Sequence, residues 1–306
     1  MTDKSLTVAE AAERLRAGEL VALPTETVYG LAARADSAEA VAKIYRAKGR
    51  PQFNPLIVHV SSPAMARELA KVDARAETLM ARFWPGPLTL VLPLRDGAGI
   101  APAVTAGLPT VALRQPAHPL AAEVLNLLGV PLAAPSANRS YGVSPTRPEH
   151  VRASLGDDAP AVLDGGPCEA GLESTIVALR ADGGWALLRP GPVSLEELPD
   201  LLGPPEKSRG ATIEAPGQLE RHYSPGKQVY LDCKQPVPGS YMIGFGDVSG
   251  DVTLSVSGDL AEAAARLYAC LHLAAASVHT TISVAPIPRS GMGRAINDRL
   301  ERAAKG

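Results

Sequence analysis

The sequence predicts an α/β protein of two units, and three observations carry that prediction. Helical and strand-like hydrophobic periods alternate along almost the whole chain. The 306 residues, 46% of them hydrophobic, hold material for about two domains of the usual ~150 residues. Between Gly203 and Gly226 the apolar period stops in a stretch of Pro, Gly and charge, and strands and helices then resume. The expected division is residues 1–203, a linker over 204–228, and a small α/β unit over 229–306.

Thr7-Val-Ala-Glu10 reads as a capping box, so a helix starts there and stops near Gly18. Residues 20–23 form a short buried strand. Ser37 is placed to cap a helix over 38–48. The apolar runs 56–60, 88–94, 110–114, 132–135, 161–164, 174–179 and 185–189 are short enough for strands. Helical spacing covers 73–83, 118–128, 147–155 and 194–202. Together these predict one large mixed layer. Past the linker, strands are expected at 229–231, 241–245, 252–256 and 281–286, with helices over 260–275 and 292–304.

Composition removes several classes of function. With 30 Lys and Arg against 32 Asp and Glu, bulk positive charge cannot hold the protein to nucleic acid. Residues 1–203 alone carry 19 basic and 22 acidic side chains. Aromatic residues, at 4%, are too few for a base-stacking surface. Cys168, Cys233 and Cys270 lack the spacing of a disulfide framework or a zinc site. No apolar run approaches the ~18 residues of a membrane span, and the N-terminus carries no apolar signal region, so the cytoplasm is the expected compartment.

The chemistry-bearing residues are cations and hydroxyls. There is no GxxxxGK[ST], HExxH or GxSxG motif. Pro24-Thr-Glu-Thr-Val-Tyr-Gly30 places two threonines and a carboxylate at a strand end, where open α/β sheets bind ligands. Lys48-Gly-Arg-Pro51 suits a rigid anion clamp if Lys48 and Arg50 are extended and point to one side. His59, inside an apolar strand, reads first as a satisfied core histidine. Thr110, Ala112 and Arg114 share one strand face, and an Arg beside small residues points to a cleft. Ser136, Asn138, Ser144 and Ser174 add polar groups at element boundaries, and Arg189 ends a strand. A cationic, hydroxyl-rich set without a nucleophile–base pair fits phosphoryl or nucleotidyl transfer, where catalysis is positioning plus charge neutralisation.

Taken in order, these segments resemble a known family. Pro24-Thr-Glu-Thr-Val-Tyr-Gly30, Lys48-x-Arg50-Pro, Asn54-Pro-Leu-Ile-Val-His59, Trp84-Pro-Gly-Pro-Leu-Thr89 and Pro135-Ser-Ala-Asn138 are followed by Asp164-Gly-Gly, Glu173-Ser-Thr-Ile176, Arg189-Pro-Gly191 and His222-Tyr-Ser-Pro225. The series is similar to the L-threonylcarbamoyladenylate synthases in their long form. Gly291-Met-Gly-Arg-Ala-Ile-Asn297 resembles that form's C-terminal helix. The resemblance implies a YrdC-like twisted mixed sheet with flanking helices, a linker, and a smaller Rossmann-like α/β domain. It implies that L-threonine, bicarbonate and ATP, with Mg²⁺ carried on the ATP phosphates, give threonylcarbamoyl-AMP and pyrophosphate. The product would feed tRNA threonylcarbamoyl-transfer machinery, with neither stable nucleic-acid binding nor a membrane.

The resemblance also assigns residues. Thr27, His59, Arg114, Ala134 and Ser174 would hold threonine, and Arg50, Asn54, Thr110, Ser136, Ser144, Arg189, His222 and Tyr223 would hold ATP. Lys48 and Arg50 would act catalytically at its phosphates, and no protein metal site is implied. His222 and Tyr223 lie on the linker, which is expected to fold over the cleft as a gate. Ser224 departs from the alanine common in the family, a small change.

Overall fold

A computed structural model of the chain describes residues 6–206, 214–218 and 222–306, so the expected linker lies partly outside the described residues. The first unit contains α1 (Val8–Arg16), β1 (Val21–Leu23), β2 (Gly30–Arg34), α2 (Ala38–Lys48), β3 (Ile57–His59), α3 (Pro63–Leu69) and α4 (Ala74–Phe83). It continues with β4 (Leu88–Pro93), α5 (Pro102–Thr105), β5 (Thr110–Arg114), α6 (Pro119–Leu128) and β6 (Leu132–Ala133). It closes with α7 (Pro148–Leu155), β7 (Ala161–Val162), β8 (Thr175–Leu179), β9 (Trp185–Arg189) and α8 (Glu197–Leu202).

The strands form a sheet in the order β7-β1-β2-β6-β3-β5-β4-β8-β9. Pairing is mixed: β3 runs parallel to β5 and β4 to β8, whereas β4–β5 and β8–β9 are antiparallel. The main core lies between the sheet and its helices, with Leu31, Ile44, Leu79, Leu90 and Leu113 fully buried. On the opposite face Ile57, Val91, Ala112, Ile176 and Ala178 are roofed by Ala215 of the linker. The face bearing Ala112 is therefore partly covered, and only its Arg114 end opens into a cleft.

The local signals explain the element starts. The Thr7 hydroxyl accepts from the Glu10 amide while Glu10 reaches back to the Thr7 amide, completing the capping box. Ser37 caps α2 through the Ala40 amide. Three of the described α-helices and strands went unpredicted. β2 is buried on both faces and shows no alternation, while α3 and α5 are too short for a helical period to register.

The second unit comprises β10 (Gln228–Tyr230), β11 (Ser240–Gly244), β12 (Val252–Thr253), α9 (Leu260–Ala276), β13 (Thr281–Val284) and α10 (Met292–Ala304). Its sheet, ordered β10-β13-β11-β12, is parallel throughout. Its core of Leu267, Leu271, Ile282, Val284, Ile296 and Leu300 runs on into Val28, Val143 and Leu172 of the first unit. Gly171 lets the two approach: its φ is +65°, and a Cβ there would lie 2.5 Å from the Ala265 backbone. No helix among the described residues is long and apolar enough to cross a membrane.

Candidate active site

A cleft opens at the ends of β1, β3, β5 and β6, closed on one side by the linker. Thr27, Arg50, His59, Arg114, Ala134, Ser136, Ser174, Arg189, His222 and Tyr223 all line it.

One wall is built on the Thr-Glu-Thr turn. The Thr25 hydroxyl donates to the Val28 carbonyl at 2.6 Å and accepts from the Thr27 and Val28 amides, both at 3.2 Å. This local turn fixes Thr27. Arg114, the last residue of β5, donates from Nη1 to Thr27 Oγ1 at 2.8 Å and from Nη2 to Glu26 Oε1 at 2.6 Å. The second Glu26 oxygen accepts from the Ala117 amide at 3.0 Å. Burial alone would raise the Glu26 carboxyl, but the Arg114 guanidinium and backbone amides hold it below the usual carboxylate range. His59 lies opposite Arg114 in the β3–β5 register. It is 5% exposed, and its Nδ1 has no partner. Burial, then the Arg114 charge, pushes it down to about 3, so the ring is neutral at pH 7. His59 is therefore not a satisfied core histidine: its Nδ1 is buried in the cleft wall without a hydrogen-bond partner.

The other wall carries cations that form no ion pair among the described residues. Arg50 donates from Nε to the Asn54 carbonyl at 3.1 Å, and from Nη2 to Asn54 Oδ1 and the Pro55 carbonyl, both at 2.7 Å. Arg189 donates from Nε to the Ser174 carbonyl at 3.0 Å and from Nη2 to its hydroxyl at 3.1 Å. That hydroxyl also shares a 2.7 Å hydrogen bond with Thr89. Among the described residues, no carboxylate lies within ion-pair distance of Lys48, Arg50 or Arg189. Burial lowers the Arg50 guanidinium to about 10 and the Lys48 ammonium well below its ordinary value.

Lys48 and Arg50 do not point the same way. Lys48 ends α2, and Gly49 turns the chain at φ 59°, so the pair is not extended. The Lys48 ammonium donates instead to the backbone carbonyls of Ser136 (2.6 Å) and Asn138. It does not line the cleft but fixes the loop that presents Ser136. Asn54 stands behind Arg50 as its acceptor, and Ser144 donates to Glu173 rather than facing the cleft. Thr110 sits at the far end of β5, opposite Pro93, outside the lining.

Two groups that sequence reasoning did not assign complete the site. Glu26 appeared only as part of a motif. Glu173, buried on the cleft wall, accepts from Ser144 and also from two residues of the second unit. These are Tyr268 of α9 at 2.7 Å and Arg299 of α10 at 2.8 Å. Burial alone would raise its carboxyl, but Arg299 and then Arg189 bring it down to about 2. The signal for Arg299 lay in its spacing: Ile296, Arg299 and Ala303 share one helical face, and a charge on an apolar stripe needs a buried partner. Where the linker passes between the units Tyr223 is fully buried and His222 half-buried, with the His222 ring pushed down to about 3 by desolvation.

The family model described as telomere recombination (Sua5/YciO/YrdC) matches residues 13–191, and that described as the threonylcarbamoyl-AMP synthase C-terminal domain matches 193–305. The threonylcarbamoyl-AMP synthase of Bacillus subtilis is 40% identical, over 98% of this chain and 93% of its own. That of Pyrococcus abyssi is 38% identical, over 96% and 93%. The crystal structure of Pyrococcus abyssi Sua5 complexed with L-threonine superposes with a TM-score of 0.87 at 35% identity, covering 99% of this chain and 96% of that one. A cleft walled by cations and hydroxyls, on a mixed sheet joined to a small parallel-sheet unit, is thus the site of a chain that belongs to the threonylcarbamoyl-AMP synthase family in its long form.

Proposed function

We propose that this cleft is where L-threonine, bicarbonate and ATP are joined into L-threonylcarbamoyl-AMP. The threonine amine takes up the bicarbonate carbon with loss of water, giving a carbamate. A carbamate oxygen then attacks the α-phosphorus of ATP, and pyrophosphate leaves with the electron pair of the broken P–O bond. The observation that carries this reading is the asymmetry of charge between the walls. A triphosphate needs cations that are not already neutralised, and Arg50 and Arg189 offer them.

Threonine is assigned to the opposite wall. Its carboxylate and hydroxyl would meet Arg114 and Thr27 and reach across to Ser174, with His59 offering a neutral nitrogen and Ala134 its backbone. ATP would lie along Arg50, Ser136 and Arg189 towards His222 and Tyr223. Lys48, Asn54 and Ser144 would support it indirectly, through the contacts described above. Thr110 can join only if the nucleotide extends along β5. A divalent ion fits this donor set only on the phosphates, since Glu26 and Glu173 are each engaged with an arginine. When bound there, Mg²⁺ would offset charge on the leaving pyrophosphate. The linker residues on the lining, Pro216, Gly217, His222 and Tyr223, would cover the mixed anhydride from water. The product would pass in the cytoplasm to machinery that transfers the threonylcarbamoyl group to tRNA.

Pyrophosphate release from ATP tests the chemistry, with threonine and bicarbonate each omitted in turn. Release is expected only with both present. Equal release without bicarbonate would make the nucleophile threonine's own carboxylate and would refute the reading.

A further inference from the structure

Arg299 belongs to the second unit, yet its guanidinium is fully buried against the wall of the cleft in the first. It donates from Nε to Glu173 at 2.8 Å and from Nη2 to the Pro190 carbonyl at 2.9 Å, and it lies 5.3 Å from the centre of the Tyr223 ring. Those three residues are respectively one before Ser174, one after Arg189, and on the linker. Glu173 and Arg189 both line the cleft. Arg189 itself is held only by the carbonyl and hydroxyl of Ser174, so its charge is not spent on a carboxylate.

A buried carboxylate keeps its charge only beside a cation. With Arg299 removed, Glu173 would retain the hydroxyls of Ser144 and Tyr268 but no positive partner. The cation already lining the same cleft, and already felt by this carboxylate, is Arg189. We propose that Arg299 is a positioning residue for nucleotide binding: by holding Glu173 it keeps the Arg189 guanidinium unpaired and available to the phosphates in the cleft. The second unit would thereby set the charge of a site whose lining residues it does not supply. This inference rests on the assignment of Arg189 to ATP above.

Calorimetric titration of ATP and of L-threonine into full-length variants tests it. Arg299→Met should weaken ATP binding roughly ten- to a hundredfold, the effect of losing one charge-assisted contact, and leave threonine binding unchanged. Adding Glu173→Gln should restore ATP binding, because the carboxylate that captures Arg189 is gone. A merely structural role for Arg299 could also be repaired by that second change, but it would weaken threonine binding together with ATP binding, so the discriminating readout is the unchanged affinity for threonine. Unchanged ATP binding in Arg299→Met, equal loss of both ligands, or no recovery in the double variant would each overturn the inference. If Arg299→Met does not fold, the double variant, which leaves no unpaired charge, decides alone: folded but unable to bind ATP, it refutes the proposal. Arg189→Met separates the two readings. If it leaves ATP binding intact, the assignment of Arg189 to ATP fails. If it abolishes binding while Arg299→Met does not, only the inference fails.

Discussion

The two walls of the cleft treat their buried cations in opposite ways. Arg114 is neutralised inside its own wall by Glu26, whereas Arg50 and Arg189 are held by carbonyls, an amide oxygen and a hydroxyl. Burying a charge without a counter-ion is costly, so the second arrangement persists only because dipoles surround each cation. The difference matches the ligands proposed for each side. Free threonine brings one carboxylate together with an ammonium, and a wall that is already balanced can orient it without strong net attraction. ATP brings several negative charges, and a wall left positive is completed by them.

The largest expected effect breaks this comparison directly through stability. Arg114→Ala strands the Glu26 carboxylate in a buried wall and should cost about 3–5 kcal/mol, read from urea unfolding midpoints. Adding Glu26→Gln should return much of that loss. Arg50→Ala strands no charge, so it should destabilise far less while weakening ATP binding by about 1.5–3 kcal/mol, the worth of a charge-assisted contact. Arg114→Ala should act on threonine binding instead. Equal stability losses in the two variants, or loss of ATP alone in both, would erase the distinction between the walls.

The same comparison explains what the sequence could disclose. The Arg114 wall was legible because its parts are local: a Thr-Glu-Thr turn after a strand, and an Arg at the end of an alternating one. α2, with its Ser37 cap, and α10 were legible from end to end because caps and helical spacing are short-range signals. The expectation that Lys48 and Arg50 point one way failed because the glycine between them is left-handed and ends α2 there. His59 drew two readings, a core histidine from its strand and a threonine ligand from the resemblance, because an apolar strand gives no sign of which residue sits where the sheet opens. The Glu173–Arg299 pair spans 126 positions, and nothing local to either residue names its partner.

A pH measurement sharpens the comparison on a smaller scale. His59 has its ordinary value of 6.5 when unfolded and about 3 when buried beside Arg114. The unfolded state therefore binds the extra proton between those limits. The stability His59 contributes is complete above 6.5 and is lost as pH falls towards 3. His150 and His222 are lowered to similar values, so the whole protein should lose stability across the same window. The variant isolates one wall. His59→Gln should make the slope of unfolding free energy between pH 6 and 4 shallower by about one proton, or ~1.4 kcal/mol per pH unit. An unchanged slope would mean that the ring takes up a proton in place, and that the Arg114 wall is wetter than its packing indicates.

The smallest expected effect concerns the linker, which touches the cationic wall. Ala215 is fully buried on the sheet face and Tyr223 is fully buried between the units, so the described parts of the linker are seated at both points. Between them, Gly217 adopts φ +84° and comes so close to Arg189 that a Cβ there would lie 3.0 Å from its Cδ. A nucleotide held by Arg189 would add contacts to a segment that is already anchored, so it should tighten the segment rather than order it anew. Limited proteolysis between Gly203 and Gly226 should accordingly slow severalfold with ATP and threonine together, and less with threonine alone, because threonine occupies the other wall. Gly217→Ala, which crowds Arg189 and disfavours the left-handed turn, should reduce both the protection and the affinity for ATP. If saturating ligands leave the cleavage rate unchanged, and Gly217→Ala binds ATP normally, the linker only tethers the second unit. The cationic wall would then end at Arg189.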